Sequence, residues 1–187
     1  SDTLAFTSSF IANLFWDKNI VLTASDKPIE DDLANGISNF NEALRHIKKG
    51  EKGVFVSYDG IFPADTITSA DGLDKFRQTG KAQPKFKNPC LAPENILVIK
   101  PYINIDYNNY NIESADLVLH EMYHSATVPE SAKAFAKKCR QSGVPFYFVT
   151  PKSSADYETS ADISDMIIFN TTLENAFARF NISQAGD

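Results

Sequence analysis

Apolar and polar positions alternate along this chain in two rhythms. Leu33, Ile37, Phe40, Leu44 and Ile47 recur every three to four residues, the period of a helix with one apolar side, and Gly50 marks its stop. Leu4, Ile11, Leu14 and Phe15 predict an earlier helix of the same kind. The short apolar runs Ile20-Val21-Leu22 and Val54-Phe55-Val56 predict buried strands, and the loop chemistry of Ser25-Asp26-Lys27-Pro28 closes the first. Residues 60–69 read as a hairpin or irregular strand. From Thr79 to Pro93 the chain turns polar, with Gly80, Pro84, Pro89 and Pro93, and reads as a linker. Strand and helix then alternate again. Residues 95–100, 116–119, 145–149 and 166–169 predict strands. A short helix is expected within 106–115, a longer one carries Ala132, Phe135, Ala136 and Cys139, and a last one carries Leu173, Ala176, Phe177 and Phe180.

Strands separated by helices of this length imply parallel βαβ units with helices on both sheet faces. The class is α/β, in two parts: residues 1–80 and 94–187, joined by a linker over 81–93.

Charge narrows the function. Lys and Arg number 18 against 24 Asp and Glu, a net charge of -6 over 187 residues. A nucleic-acid binder carries a basic face, and the longest basic cluster, Lys48, Lys49 and Lys52, falls at a helix end where cations complement the dipole. Nucleic acid is therefore not an expected partner. No apolar run approaches the roughly 20 residues of a membrane span, so a membrane is not expected either. Cys90 and Cys139 stand 49 positions apart with neither disulfide-framework nor zinc spacing, which suits a reduced, cytoplasmic setting.

One motif is conspicuous. His120-Glu121-Met122-Tyr123-His124 matches HExxH, in which two histidines one helical turn apart bind zinc and the glutamate polarises a water. That chemistry needs a helix, yet Asp116-Leu117-Val118-Leu119 reads as a strand and Pro129 follows closely. A zinc hydrolase thus stays only as an alternative, and no metal or other cofactor is expected. Asp31-Asp32 reads as a helix N-cap, Tyr107, Asn108, Asn109 and Tyr110 as surface loop, and His46 as exposed.

Several segments, in order, resemble the bacterial-type L-asparaginase/glutaminase amidohydrolases. Ser1-Asp2-Thr3 resembles the end of that family's His-Gly-Thr-Asp-Thr motif, and residues 17–25 its DKPVVLTG(S/A) strand. Ala34 to Asn39 resembles ADGxxN with Asn35 for Asp. Gly53 to Val56 and Ala64 to Phe76 resemble its GVxVxFxG…A…AF stretch. Residues 96–106 resemble the strand and turn that open its C-terminal domain. Residues 122–129 stand where its GxGN loop lies, and Thr171-Thr172-Leu173 resembles its GTL helix entry.

The resemblance implies hydrolysis of a side-chain amide, L-asparagine to L-aspartate and ammonia, with L-glutamine as a possible second substrate. A hydroxyl attacks the amide carbon and water resolves the acyl-enzyme. On this pattern Ser1 supplies the family's second hydroxyl, and Asp2 the carboxylate that holds the substrate's α-amino group. Ser25 lines the substrate pocket. Thr127 occupies the place of an interface Asn, and Glu158 that of an acid reaching a neighbouring subunit's site. A homo-oligomer follows, dimer or tetramer. Ser1 and Asp2 also suit a plain N-cap of the first helix.

Two features depart from the family. Nothing resembles its N-terminal TGGTI nucleophile segment, and no Lys occurs between Lys52 and Lys75, where its catalytic lysine belongs near 66–70. The expectation is an incomplete, divergent family member, inactive by itself. A non-catalytic amino-acid-binding or interaction module on the same fold is the alternative that the missing lysine favours.

Overall fold

A computed structural model of the chain describes residues 3–184. The first half runs α1 (Leu4–Leu14), β1 (Asn19–Thr23), α2 (Gly36–Ile47), β2 (Gly53–Ser57) and β3 (Ile61–Pro63). Its sheet has the order β1-β2-β3. β1 and β2 are parallel, from Asn19 opposite Gly53 to Thr23 opposite Ser57, while β3 folds back antiparallel on β2. After β4 (Pro89–Leu91) come β5 (Ile96–Ile99), β6 (Leu117–Glu121), α3 (Glu130–Gln141), β7 (Phe146–Val149), β8 (Ile167–Ile168), α4 (Leu173–Phe180) and β9 (Ile182–Gln184). The second sheet is wholly parallel in the order β5-β6-β7-β8.

The run Leu117-Val118-Leu119 shows why such a sheet has continuous apolar strands. Val118 belongs to the core shared with α3 residues Ala132, Phe135, Ala136 and Cys139. Leu117 and Leu119 belong to the core shared with Leu173 and Ala176 of α4. Both faces are covered, so both parities must be apolar.

The stretch from 81 to 93 is tied down rather than loose. β4 pairs antiparallel with β9, and Lys81 and Gln83 both bond the carbonyl of Asn170. The polar, proline-rich composition here reflects irregular backbone held by the second half of the chain.

Four side-chain placements differ from the sequence expectation. Tyr107, on a 3₁₀ turn (Tyr107–Asn109), is buried and stacked on Phe135. His46 is buried against Phe55, with ring centroids 4.3 Å apart. Asp31 closes a turn by accepting from Leu33 N, and the helix begins five residues later. The apolar stripe of α2 faces away from the sheet, with Ile37 56 % and Phe40 52 % exposed, and Leu33 precedes the helix in the turn. The side of α2 that meets the sheet carries Asn39, Ala43 and His46. Asn39 holds it there, because its Nδ2 donates to the Ala24 carbonyl at 2.8 Å while its Oδ1 accepts from Asp59 N at 2.9 Å. Its own carbonyl accepts from Ser57 Oγ at 2.7 Å. A polar side chain that bridges the ends of β1 and β2 outweighs the helical apolar period.

Candidate functional site

Parallel strands present their carboxyl ends to one side, where α/β proteins bind ligands. In the second sheet those ends deliver Lys100 after β5 and Glu121 at the end of β6. Glu174, in the first turn of α4, meets them from another element. The helix N-terminus there is capped by Thr172, whose Oγ1 accepts from Asn175 N at 3.1 Å, and its dipole favours a carboxylate.

Glu174 is 1 % exposed. Its Oε1 accepts three donors: Ser69 N at 2.9 Å, Ser69 Oγ at 2.7 Å and Lys100 Nζ at 3.3 Å. Its Oε2 is buried without a hydrogen-bond partner. Lys100 Nζ and Ser69 Oγ are therefore no further apart than the sum of their distances to this oxygen. Burial pushes the Glu121 carboxyl above its ordinary pKa, Lys100 draws it down and Glu174 raises it further. A hydroxyl, an amine and two carboxylates thus act on one another across the junction of the two halves. A buried carboxylate accepting from a hydroxyl can take its proton, and an adjacent ammonium can return one.

A second polar cluster sits at the ends of β1 and β2. Asp26 and Asn35 exchange bonds, each side-chain oxygen accepting from the other's backbone N–H at 3.0 and 3.1 Å. Asn35 Nδ2 donates to Asp59 Oδ1 at 3.0 Å, and Lys75 pairs with Asp59. The pair holds the Asp59 carboxyl below its ordinary pKa and the Lys75 amine above its own.

Ser1 and Asp2 lie outside the described residues. Ser25 stands beside the second cluster, but its Oγ donates to the Lys27 carbonyl at 2.6 Å. It presses so closely on the start of α2 that a side chain at Gly36 would meet Ser25 Oγ at 2.8 Å. Thr127 lies in the turn after β6, its Oγ1 sharing a 2.7 Å hydrogen bond with Ser125 Oγ. Ala126 adopts a left-handed φ of 57° there. Glu158 is exposed at the start of a 3₁₀ segment (Glu158–Met166). Two residues on, Ser160 Oγ donates to the Ala126 carbonyl at 2.9 Å, which brings the Thr127 and Glu158 segments together.

The zinc alternative fails on geometry. His120 and Glu121 are strand residues, so they point to opposite faces, and His124 lies beyond the strand in a turn. His120 is fully buried. Its Nδ1 lies 2.7 Å from the Glu121 carbonyl, which can only accept, so Nδ1 carries the proton and Nε2 accepts from Tyr107 Oη at 2.8 Å. Both ring nitrogens are engaged. Burial lowers the ring's pKa to about 4. Among the described residues no group of three or more His, Cys, Asp and Glu side chains is arranged to hold a metal.

A family model for asparaginase, for its N-terminal domain, matches residues 1–98, just over half of the chain. The chain belongs to the asparaginase family. This asparaginase-family chain also shares its fold with solved enzymes. One is the thermostable L-asparaginase from Thermococcus kodakarensis, at 19 % identity and a TM-score of 0.67 over 96 % of this chain and 66 % of that one. Another is the probable cytoplasmic L-asparaginase from Campylobacter jejuni, at 15 % identity and 0.68 over 97 % and 67 %. At these identities the likeness is one of fold. The chain spans about two thirds of the length of either enzyme. No curated protein matches it.

Sequence reasoning missed Ser69, Lys100 and Glu174. Lys100 is a single basic residue closing an apolar strand, and Glu174 a single acid in a first turn. Each has an ordinary local explanation, and only their convergence marks them.

Proposed function

We propose that this asparaginase-family chain works in the hydrolysis of a side-chain amide, L-asparagine to L-aspartate and ammonia, with L-glutamine as a second substrate. A hydroxyl attacks the amide carbon, ammonia leaves, and water releases the acid from the acyl-enzyme. Ser1 supplies a hydroxyl and Asp2 the carboxylate for the substrate's α-amino group. Ser25 borders the pocket, while Thr127 and Glu158 contribute across a subunit interface in a homo-oligomer. The setting is cytoplasmic. Among the described residues no helix is long and apolar enough to cross a membrane.

The observation that supports this reading best is the convergence of Ser69, Lys100 and Glu174 on one oxygen. The segment 66–70 has no lysine, yet the Lys100 amine shares a carboxylate oxygen of Glu174 with Ser69, within that segment. Lys100 is the group we assign to proton handling. These 187 residues hold no counterpart of the family's first nucleophile segment, and by themselves they are expected to release no ammonia.

The test is the intact mass of the natural protein, measured with ammonia release from asparagine and glutamine. A mass well above 20.7 kDa with turnover supports the reading. Lys100→Met should then lower kcat by about a hundredfold, the usual scale of a lost proton-transfer group, with Lys100→Arg no better. A mass near 20.7 kDa without ammonia sinks the enzyme reading. The absence of a lysine in 66–70 favours, in that case, an amino-acid-binding module, which calorimetric titration with asparagine would reveal.

A further inference from the structure

Arg179, in the last turn of α4, is a cation without a carboxylate. Its Nη1 donates to two neutral acceptors, Asn13 Oδ1 at 3.0 Å and the Pro84 carbonyl at 2.9 Å. Its Cζ lies 4.4 Å above the centre of the Phe86 ring. Among the described residues it forms no ion pair. The one carboxylate whose charge supports it from further away, Asp65, is already held by Lys85 at 2.9 Å. Burial pulls the guanidinium below its ordinary pKa, the sign of a cation poorly compensated for lost water.

This cation borders a cavity of about 280 Å³ between the 81–93 segment, the end of β8 and α4. Phe86, Ile168 and Phe180 form apolar walls. The other polar residues there are occupied. Gln83 Nε2 donates to the carbonyls of Lys81 and Asn170, and Thr171 Oγ1 accepts from Asn175 Nδ2 at 3.0 Å. No Asp or Glu lines the cavity.

We propose that this cavity binds a small monocarboxylate with an apolar body, its carboxylate facing Arg179 and its chain lying against Phe86, Ile168 and Phe180. The planar guanidinium matches a carboxylate, and beside apolar walls that charge-assisted contact is strengthened. The walls supply the non-directional part of affinity. An α-amino acid suits the site less well, because its ammonium would lie beside a guanidinium with no acid to meet it. The site is therefore separate from any site for asparagine, and stands whether or not the chain takes part in amide hydrolysis.

The experiment is calorimetric titration of the 187-residue protein with sodium hexanoate, beside hexanamide and leucine at the same concentrations. Emission of Trp16, the only tryptophan, is followed in parallel; its Nε1 donates to the Phe86 carbonyl at 3.2 Å and so reports on the cavity wall. Hexanoate is expected to bind and to change Trp16 emission. Hexanamide and leucine should bind at least about tenfold more weakly. Arg179→Met should remove hexanoate binding. Because Arg179 also braces Asn13 and Pro84, Ile168→Phe serves as a second variant, placing extra carbons in the cavity from the half-buried Ile168 while leaving the guanidinium in place. It should abolish binding while leaving the circular dichroism spectrum unchanged. Absence of both heat and emission change at hexanoate concentrations of about 10 mM overturns the proposal, since a site with a Kd of about 1 mM would be roughly nine-tenths filled there. Equal affinity for hexanamide, or undiminished binding by Ile168→Phe, overturns it as well.

Discussion

His120 is ringed by Tyr107, Phe146 and Phe148, with centroid distances of 5.4 to 6.1 Å. Its pKa of about 4 in the folded chain stands below the ordinary 6.5. Between these values the unfolded chain takes up a proton that the folded chain refuses. The stabilisation is thus complete above pH 6.5 and is lost as pH falls toward 4, by up to about 3 kcal/mol. Glu121 works with the opposite sign, since its raised pKa lets the folded chain protonate first. The urea midpoint, followed from pH 8 to 4.5, should fall for the natural sequence and fall less for His120→Phe. Equal slopes would remove His120 as the source. None of this was legible locally. Tyr107 stands beside two asparagines and reads as surface, and its burial follows only when β6 presents a buried imidazole to accept its hydroxyl.

At the scale of elements, the period of α2 was readable and its orientation was not. Ile37, Phe40, Leu44 and Ile47 at helical spacing specify a helix, and any neighbour with an apolar surface could claim them. In the fold, Asn39 ties the opposite side to the strand ends, so the stripe is left exposed. Phe40→Glu should accordingly change the unfolding free energy by no more than about 0.5 kcal/mol. It should also reduce binding of the dye ANS, which reports exposed apolar surface. A loss of several kcal/mol would mean that Phe40 is packed. The entry to α4 is the contrary case, because Thr171-Thr172-Leu173 announced a helix start and Thr172 caps it. Thr172→Ala should lower stability by about 1 kcal/mol in the same urea experiment, through the lost bond to Asn175 N.

Across the whole molecule, the two sheets are joined by groups far apart in sequence. Asn13 Nδ2 donates to Asn175 Oδ1 at 2.8 Å, Ser69 bonds Glu174, and β4 lies on β9. These ties are buried, partly buried or part of a ladder, so opening one half exposes polar groups of the other. Scanning calorimetry should show one transition, with calorimetric and van't Hoff enthalpies in agreement. Two resolved transitions would show that the ties are too weak to couple the halves.

The sequence by itself determined the alternation of strand and helix, the parallel sheet with both faces apolar, and the family, because periodicity and motif order are properties of the chain read in line. It also indicated the strand that removes the zinc geometry, since Leu117-Val118-Leu119 needs apolar neighbours on two sides. Tertiary structure alone decided which side of α2 is buried, where the 81–93 segment is held, and that Ser69, Lys100 and Glu174 share one oxygen. Those outcomes depend on distance between residues up to 105 positions apart, such as Ser69 and Glu174. A carboxylate becomes a candidate catalytic group only when the fold withdraws its water and brings an amine and a hydroxyl in its place.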